Sequence, residues 1–187
     1  MPKQRRQPSQ QENFWIESIK TIGISVFLAF GIRTAVAQSF FIPSGSMEPT
    51  LDINDHLLVD KLSYHFQNPQ RGDIVVFNPP EKVIKEENLH DPFIKRVIGL
   101  PGEKVEVKNK RVYVNNIPLR EDYIADKPKY TWGPEIVPPN SYLVLGDNRN
   151  NSYDGHYWGF VKRDRIIGKA VVRFWPLNRI SSFPIQH

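Results

Sequence analysis

The 187-residue chain contains no cysteine. That removes disulfides as a source of stability, and thiolates as nucleophiles or metal ligands. Histidine is sparse: His56, His65, His90, His156 and His187 are scattered, without the helical spacing that brings two imidazoles onto one metal. No metal and no cofactor is implied. Strong charge is missing as well, because the formal net charge is only +5 and Lys3, Arg5 and Arg6 supply part of it from a polar N-terminal tail. A basic face for nucleic acid is therefore not indicated. No internal repeat occurs, and beyond the first forty residues no apolar stripe has helical spacing.

What is present near the N-terminus is an apolar segment. Between Lys20 and Arg33 no residue is charged, and a second uncharged run follows from Thr34 to Met47. The clean core is shorter than the roughly 20 residues that a spanning helix needs, so Lys20 and Arg33 are expected near the two interfaces with their stems snorkelling. The sequence thus divides into a cytoplasmic basic tail (1–17), a transmembrane anchor helix (18–37) and an extracytoplasmic domain (38–187). The basic residues ahead of the span place the N-terminus in the cytoplasm by the positive-inside rule. Phe14 and Trp15 would mark one headgroup layer, Phe40 and Phe41 the other. The same residues also imitate a cleavable leader, with Ala35-Val36-Ala37 as its small-residue site, although Arg33 directly before that site disfavours cleavage.

From Gln38 onward the pattern becomes short runs of β-branched and aromatic residues separated by Pro, Gly and Asn. Strands are expected at Asp55–Asp60, Asp73–Phe77, Phe93–Ile98, Lys104–Val107, Val112–Val114, Tyr142–Leu145 and Ala170–Phe174. Sixteen prolines argue against long helices. The predicted fold is mainly β, with antiparallel sheets forming a partly closed barrel after one transmembrane helix. Val105 to Val114 reads as a hairpin turning at Lys108-Asn109-Lys110. A small cap or excursion is expected around 104–141, of low regularity from Ile117 to Asn140, and Asn78 to Pro92 reads as a solvated loop.

Chemistry points to Pro43-Ser44-Gly45-Ser46-Met47-Glu48-Pro49, a small, stiff, largely uncharged turn just past the apolar segment. Gly45 gives the backbone room there, while Pro43 and Pro49 restrict it. Ser46 is an exposed-nucleophile candidate, but a serine hydroxyl needs a base within hydrogen-bond reach. In extended Phe93-Ile94-Lys95-Arg96-Val97, Lys95 shares a face with Phe93 and Val97 while Arg96 points away. Apolar surroundings disfavour the ammonium. To act near neutrality, a lysine must fall from about 10.4 by about three pH units, or about 4 kcal/mol, which burial can provide. A Ser-His-Asp arrangement through His156 stays open at this level, as does a Lys95 whose amine simply reaches water.

These two segments, with Gly146-Asp147-Asn148-Arg149-Asn150-Asn151-Ser152-Tyr153-Asp154 further on, resemble in order and content the motifs of the bacterial type I signal peptidases. The resemblance runs from about Gln38 to Trp175 and is closest to the compact single-anchor branch. It implies a membrane-anchored Ser/Lys endopeptidase that removes signal peptides from exported precursors after Ala-x-Ala. Ser46 would be the nucleophile and Lys95 the base. Ser44 would complete an oxyanion hole with the Ser46 amide, Ser152 would orient the lysine, and Asp147, Arg149 and Asp154 would form a supporting network. Phe40, Ile42, Leu51 and Ile94 would line the substrate pocket. The implied partners are signal-peptide-bearing precursors and the lipid bilayer, in a cell membrane or a thylakoid membrane. Asn150 and His156 stand where relatives often carry Asp and Arg, so no salt bridge is carried over through them. Two rival functions are a membrane-tethered β-barrel binding module without catalysis, and a self-cleaving Ser/Lys regulator. The latter would carry a DNA-binding helical head where this chain has an apolar segment.

Overall fold

The computed structural model of the chain describes residues 15–26 and 37–183. The chain forms two units, 1–36 and 37–187. In the first, 15–26 is helical (α1). Among the described residues no helix is long and apolar enough to cross a membrane. Residues 1–14 of the basic tail and residues 27–36 of the expected span, with Ala35-Val36, lie outside the described residues.

The second unit is antiparallel β throughout. One sheet of eight strands has the order β1 (Ala37–Phe41), β2 (His56–Asp60), β11 (Ile166–Trp175), β3 (Ile74–Phe77), β4 (Phe93–Gly99), β9 (Ser141–Leu145) and β10 (Val161–Lys162), with β12 (Ser181–Ser182) also on β11. A smaller sheet is ordered β7 (Ile117–Pro118), β6 (Arg111–Val114), β5 (Lys104–Lys108) and β8 (Trp132–Ile136). All seven expected strands occur. The expected hairpin turns at Asn109-Lys110, both with positive φ, as a two-residue connection between twisted strands requires.

Alternation along the central strands divides the core into three. Val75 and Phe77 of β3, Val97 of β4, and Tyr142 and Val144 of β9 face one side, joined by Trp158 and Val161. On the other side Ile74 and Val76 join Ile42, Met47, Leu51, Leu57, Val59 and Ala170. Ile98, Leu143 and Leu145 instead meet the smaller sheet through Val105, Val107, Val112 and Val114. Central strands are therefore covered on both faces, which explains their nearly unbroken apolar runs.

Two local readings differ from the sequence pattern. Trp132–Ile136, within the stretch expected to be of low regularity, is a strand that pairs with β5 of the smaller sheet despite containing Pro134, while 119–131 has neither strand nor helix. β8 is the edge of that sheet, where a strand can lack a donor on its outer side. A one-turn helix, α2 (Ser63–Phe66), follows β2, and the segment expected as a solvated loop holds α3 (Glu81–Glu87), entered from Pro80 and closed by Asn88 in the left-handed conformation. A single buried side chain, Val83, anchors it, too little to register as an apolar stripe.

Gly99 lies against the core beneath the smaller sheet. A Cβ there would sit 2.8 Å from Val105 Cγ2, 2.9 Å from Val137 Cγ2 and 3.1 Å from Leu143 Cβ. Gly99→Ala is expected to destabilise the domain by about 1–3 kcal/mol through overpacking, measured by urea unfolding of the full chain in detergent.

Candidate active site

The site forms where a strand ends early. β9 pairs with β4 as far as Leu145 opposite Arg96, so Lys95, one residue further along β4, faces the place where β9 has stopped. On its other side Lys95 pairs with Val75 of β3. Two loops meet at the place β9 vacates: a one-turn 3-10 helix at Gly45–Met47, and the segment 146–154 that leaves β9. Backbone and side chain of Asn148 bind them together. Its amide donates to the Ser46 carbonyl at 3.1 Å, and its side-chain Nδ2 donates to the Gly45 carbonyl at 3.0 Å.

Gly146 is the closest point of this junction. A Cβ there would collide with Ser152 Oγ, Ser152 Cβ and the Ser46 carbonyl oxygen. Only glycine lets the end of β9 pass between the two serines.

Lys95 Nζ donates to Ser46 Oγ at 2.8 Å and to the Ile94 carbonyl at 2.8 Å. Both side chains are buried, Lys95 with 5% of its surface exposed and Ser46 with 9%. As the alternation predicts, Lys95 shares its face with Phe93, whose ring centroid lies 5.8 Å from Nζ, and with Val97. Burial drives the lysine's pKa down to about 8, against the pull of the Asp154 and Asp147 carboxylates, which raise it.

Ser44 precedes the 3-10 turn in an extended conformation, and its hydroxyl lies 3.3 Å from Ser46 Oγ. Ser46 itself sits in the first turn, where amides have no carbonyl of their own turn to bond. A hydroxyl and an amide are thus presented beside the nucleophilic oxygen. Ser152 Oγ is buried against Gly146 and hydrogen-bonds no protein group.

The supporting residues form two clamps. Asp147, fully buried, accepts from Arg96 Nε at 2.8 Å, from Arg96 Nη2 at 2.7 Å and from Thr50 Oγ1 at 2.6 Å. Arg149 donates Nε to the Gly146 carbonyl at 2.9 Å and Nη1 to Glu121 at 2.6 Å. The Tyr123 ring lies over both guanidiniums, at 4.1 Å from Arg96 and 5.7 Å from Arg149. Asp154 accepts from the Gly146 amide at 2.8 Å and from His156 Nδ1 at 2.7 Å. Asn150 accepts from the Lys129 amide at 2.8 Å and donates to the Lys127 carbonyl at 3.1 Å. The side-chain amide does both, which a carboxylate in its place could not.

Of the four expected pocket residues, Phe40 and Ile94 are half-buried at the surface, while Ile42 and Leu51 are fully buried behind them in one cluster with Met47. His156 is spoken for by Asp154 and the Tyr130 ring, whereas the partners of Ser46 Oγ are Lys95 and Ser44. Among the described residues no group of His, Asp and Glu is arranged to hold a metal ion.

Arg96, Glu121, Thr50, Asn148 and Gly146 were not singled out from the sequence. Arg96 does point away from the lysine, but into the interior. It falls on the face of β4 shared by Ile94 and Ile98, and a charged residue between two inward apolar positions is the signal that a buried carboxylate waits for it. Arg96→Met is expected to cost about 3–5 kcal/mol by leaving Asp147 buried and unpaired, and Arg96→Met/Asp147→Leu to recover much of that loss. Urea unfolding of the two variants checks both signs.

With this geometry in place, comparison with known proteins is informative. The family model described as "Signal peptidase, peptidase S26" matches residues 15–175. Signal peptidase I of Leptolyngbya laminosa is 62% identical over 88% of this chain and 82% of its own length. Signal peptidase I P of Bacillus subtilis subsp. natto is 36% identical over 88% of this chain and 91% of its own. Thylakoidal processing peptidase 1 of Arabidopsis thaliana is 37% identical over 88% of this chain and 50% of its own.

Proposed function

The chain belongs to the signal peptidase family of serine endopeptidases, and on that premise we propose that it is a membrane-anchored Ser/Lys endopeptidase cutting signal peptides from exported precursors after small residues. The observation that carries this reading is the buried contact of 2.8 Å between Lys95 Nζ and Ser46 Oγ, with the lysine's proton affinity lowered by the same burial.

The neutral amine accepts the Ser46 hydroxyl proton as Oγ attacks the scissile carbonyl. The oxyanion that forms is held by the Ser44 hydroxyl and the Ser46 amide. Lys95 then gives the proton to the departing amine, and the peptide bond breaks to leave an acyl-serine. A water molecule, deprotonated by the same lysine, hydrolyses that ester and restores both groups. Ser152 Oγ, buried and free of a protein partner, is the group proposed to orient the amine once it has lost its proton. Asp147, Arg149 and Asp154 act through backbone and charge.

An extended signal peptide is proposed to lie along the groove beside Ser46 and Lys95, adding as a strand. Phe40 and Ile94, backed by Ile42 and Leu51, would form a wall that leaves space only for small side chains. A non-catalytic binding module would have no use for a buried lysine against a serine hydroxyl, a placement that costs stability.

Anchoring is proposed through the segment expected as a helix over 18–37, which would end before Ala37 because that residue opens β1, with the basic tail in the cytoplasm and the β domain on the outer side of a cell or thylakoid membrane. Phe41, exposed at one end of β1, would reach the lipid surface. Phe40→Ser/Phe41→Ser is expected to weaken cleavage of membrane-bound precursors several-fold more than cleavage of short soluble peptides, with equal losses contradicting lipid contact.

Cleavage of a signal-bearing precursor by the detergent-solubilised chain tests the chemistry. Ser46→Ala and Lys95→Ala, each shown folded by circular dichroism, are expected to lose about 1,000-fold or more in kcat. The pH profile follows from the sign of the lysine shift. Since only the neutral amine is a base, kcat/KM should rise with pH through about 8 and fall about tenfold per pH unit below it. A flat profile between pH 6 and 9 would remove Lys95 from that role.

A further inference from the structure

His156 belongs to none of the roles above, yet it sits at a sensitive point. Its Nδ1–H donates to Asp154 Oδ1 at 2.7 Å, and its backbone amide donates to the same oxygen at 3.1 Å. The ring stacks on Tyr130, centroids 4.1 Å apart and planes 13° from parallel, and meets Tyr157 at 3.9 Å. The charges around this stack are Asp154 itself, Arg149 and Glu121, all within the field felt by the Tyr130 hydroxyl. The imidazole is thus fixed from two elements, the start of α4 (Gly155–Trp158) and the segment leading into β8.

Asp154 links this ring to the reacting groups. Its second oxygen accepts the Gly146 amide, and Gly146 lies directly against Ser152 Oγ and the Ser46 carbonyl. Asp154 is fully buried, so little solvent screens its charge, and it is the foremost of the carboxylates that help Lys95 keep its proton. Whatever neutralises Asp154 loosens the lysine's hold on that proton. An imidazole engages the carboxylate through Nδ1 and, unlike a guanidinium, carries no permanent positive charge. A guanidinium or ammonium in that place would set a permanent positive charge directly against Asp154 and oppose its effect on the lysine.

We propose that His156 is a positioning residue of the base: it fixes Asp154 through Nδ1, governs how much of that carboxylate's charge reaches Lys95, and so sets the pH at which cleavage switches on. The inference rests on the reading of Lys95 as general base. Holding Asp154 keeps Gly146 seated between the two serines, and the stack on Tyr130 holds the imidazole in line.

The test is the pH profile of kcat/KM for a signal-bearing precursor, measured on the full chain in detergent with wild type, His156→Arg and His156→Asn, each checked for folding by circular dichroism. Arginine places a permanent positive charge on Asp154, and the acid limb should move to lower pH by roughly half a pH unit or more. Asparagine supplies a neutral N–H and should leave the limb where wild type has it, whatever happens to kcat. Should arginine not be accommodated, His156→Lys carries the same charge and the same expectation. A limb that moves with neither substitution, or equally with both, overturns the proposal and makes His156 a packing contact. Lys95→Ala run beside them separates the two levels. Retained cleavage in that variant removes the base itself, whereas its loss together with an unmoved limb in His156→Arg removes only the role of His156.

Discussion

The arrangement depends on one constraint: an amine must be buried against a serine without acquiring a counter-ion. An exposed lysine would remain an ammonium at neutral pH and have no lone pair to offer. A lysine paired with a carboxylate would be held in the same state more firmly. Lys95 avoids both, because its stem runs along the sheet between Phe93 and Val97 while, among the described residues, its nitrogen hydrogen-bonds Ser46 Oγ and the Ile94 carbonyl and no carboxylate. The fold supplies this environment through a strand mismatch. β4 outruns β9 by the residues that carry the chemistry, and two loops close the gap.

That constraint explains why the surrounding polar network is elaborate. Two carboxylates, Asp147 and Asp154, lie close enough for their charge to raise the lysine's proton affinity. Each is occupied elsewhere. Asp147 is gripped by Arg96 and Thr50, and Asp154 by His156 and the Gly146 amide. Their work is to shape backbone: Asp154 holds Gly146, Arg149 holds the same residue's carbonyl, and Asn148 ties the segment to the nucleophile's turn. The smaller sheet and its connections contribute Glu121, Tyr123 and Tyr130, so the excursion is part of the support of the site.

Much of the fold is legible in the sequence because half-buried and doubly buried strands impose period-two or continuous apolar patterns, and these survive inspection of a single chain. What escaped has physical reasons. β8 carries a proline and is admissible only because it is an edge, which is a property of the sheet. α3 rests on one buried valine. Asn150 seems an ordinary turn residue until Lys127 and Lys129 are beside it, and Arg96 reads as a solvated strand charge until the far side of β4 is known to be covered.

By itself the sequence determined the class of fold, the candidate nucleophile and the candidate base, since the strand alternation already puts Lys95 among apolar neighbours on the face opposite Arg96. It also determined which chemistries to set aside, because an absent cysteine cannot be supplied by folding. Only the tertiary structure decided that Ser46 and Lys95 meet, that Gly146 passes between Ser46 and Ser152, and which cation answers which carboxylate. Those are contacts between residues far apart in the chain. Local periodicity reports which face a side chain occupies, whereas its partner is chosen by register, strand length and loop closure.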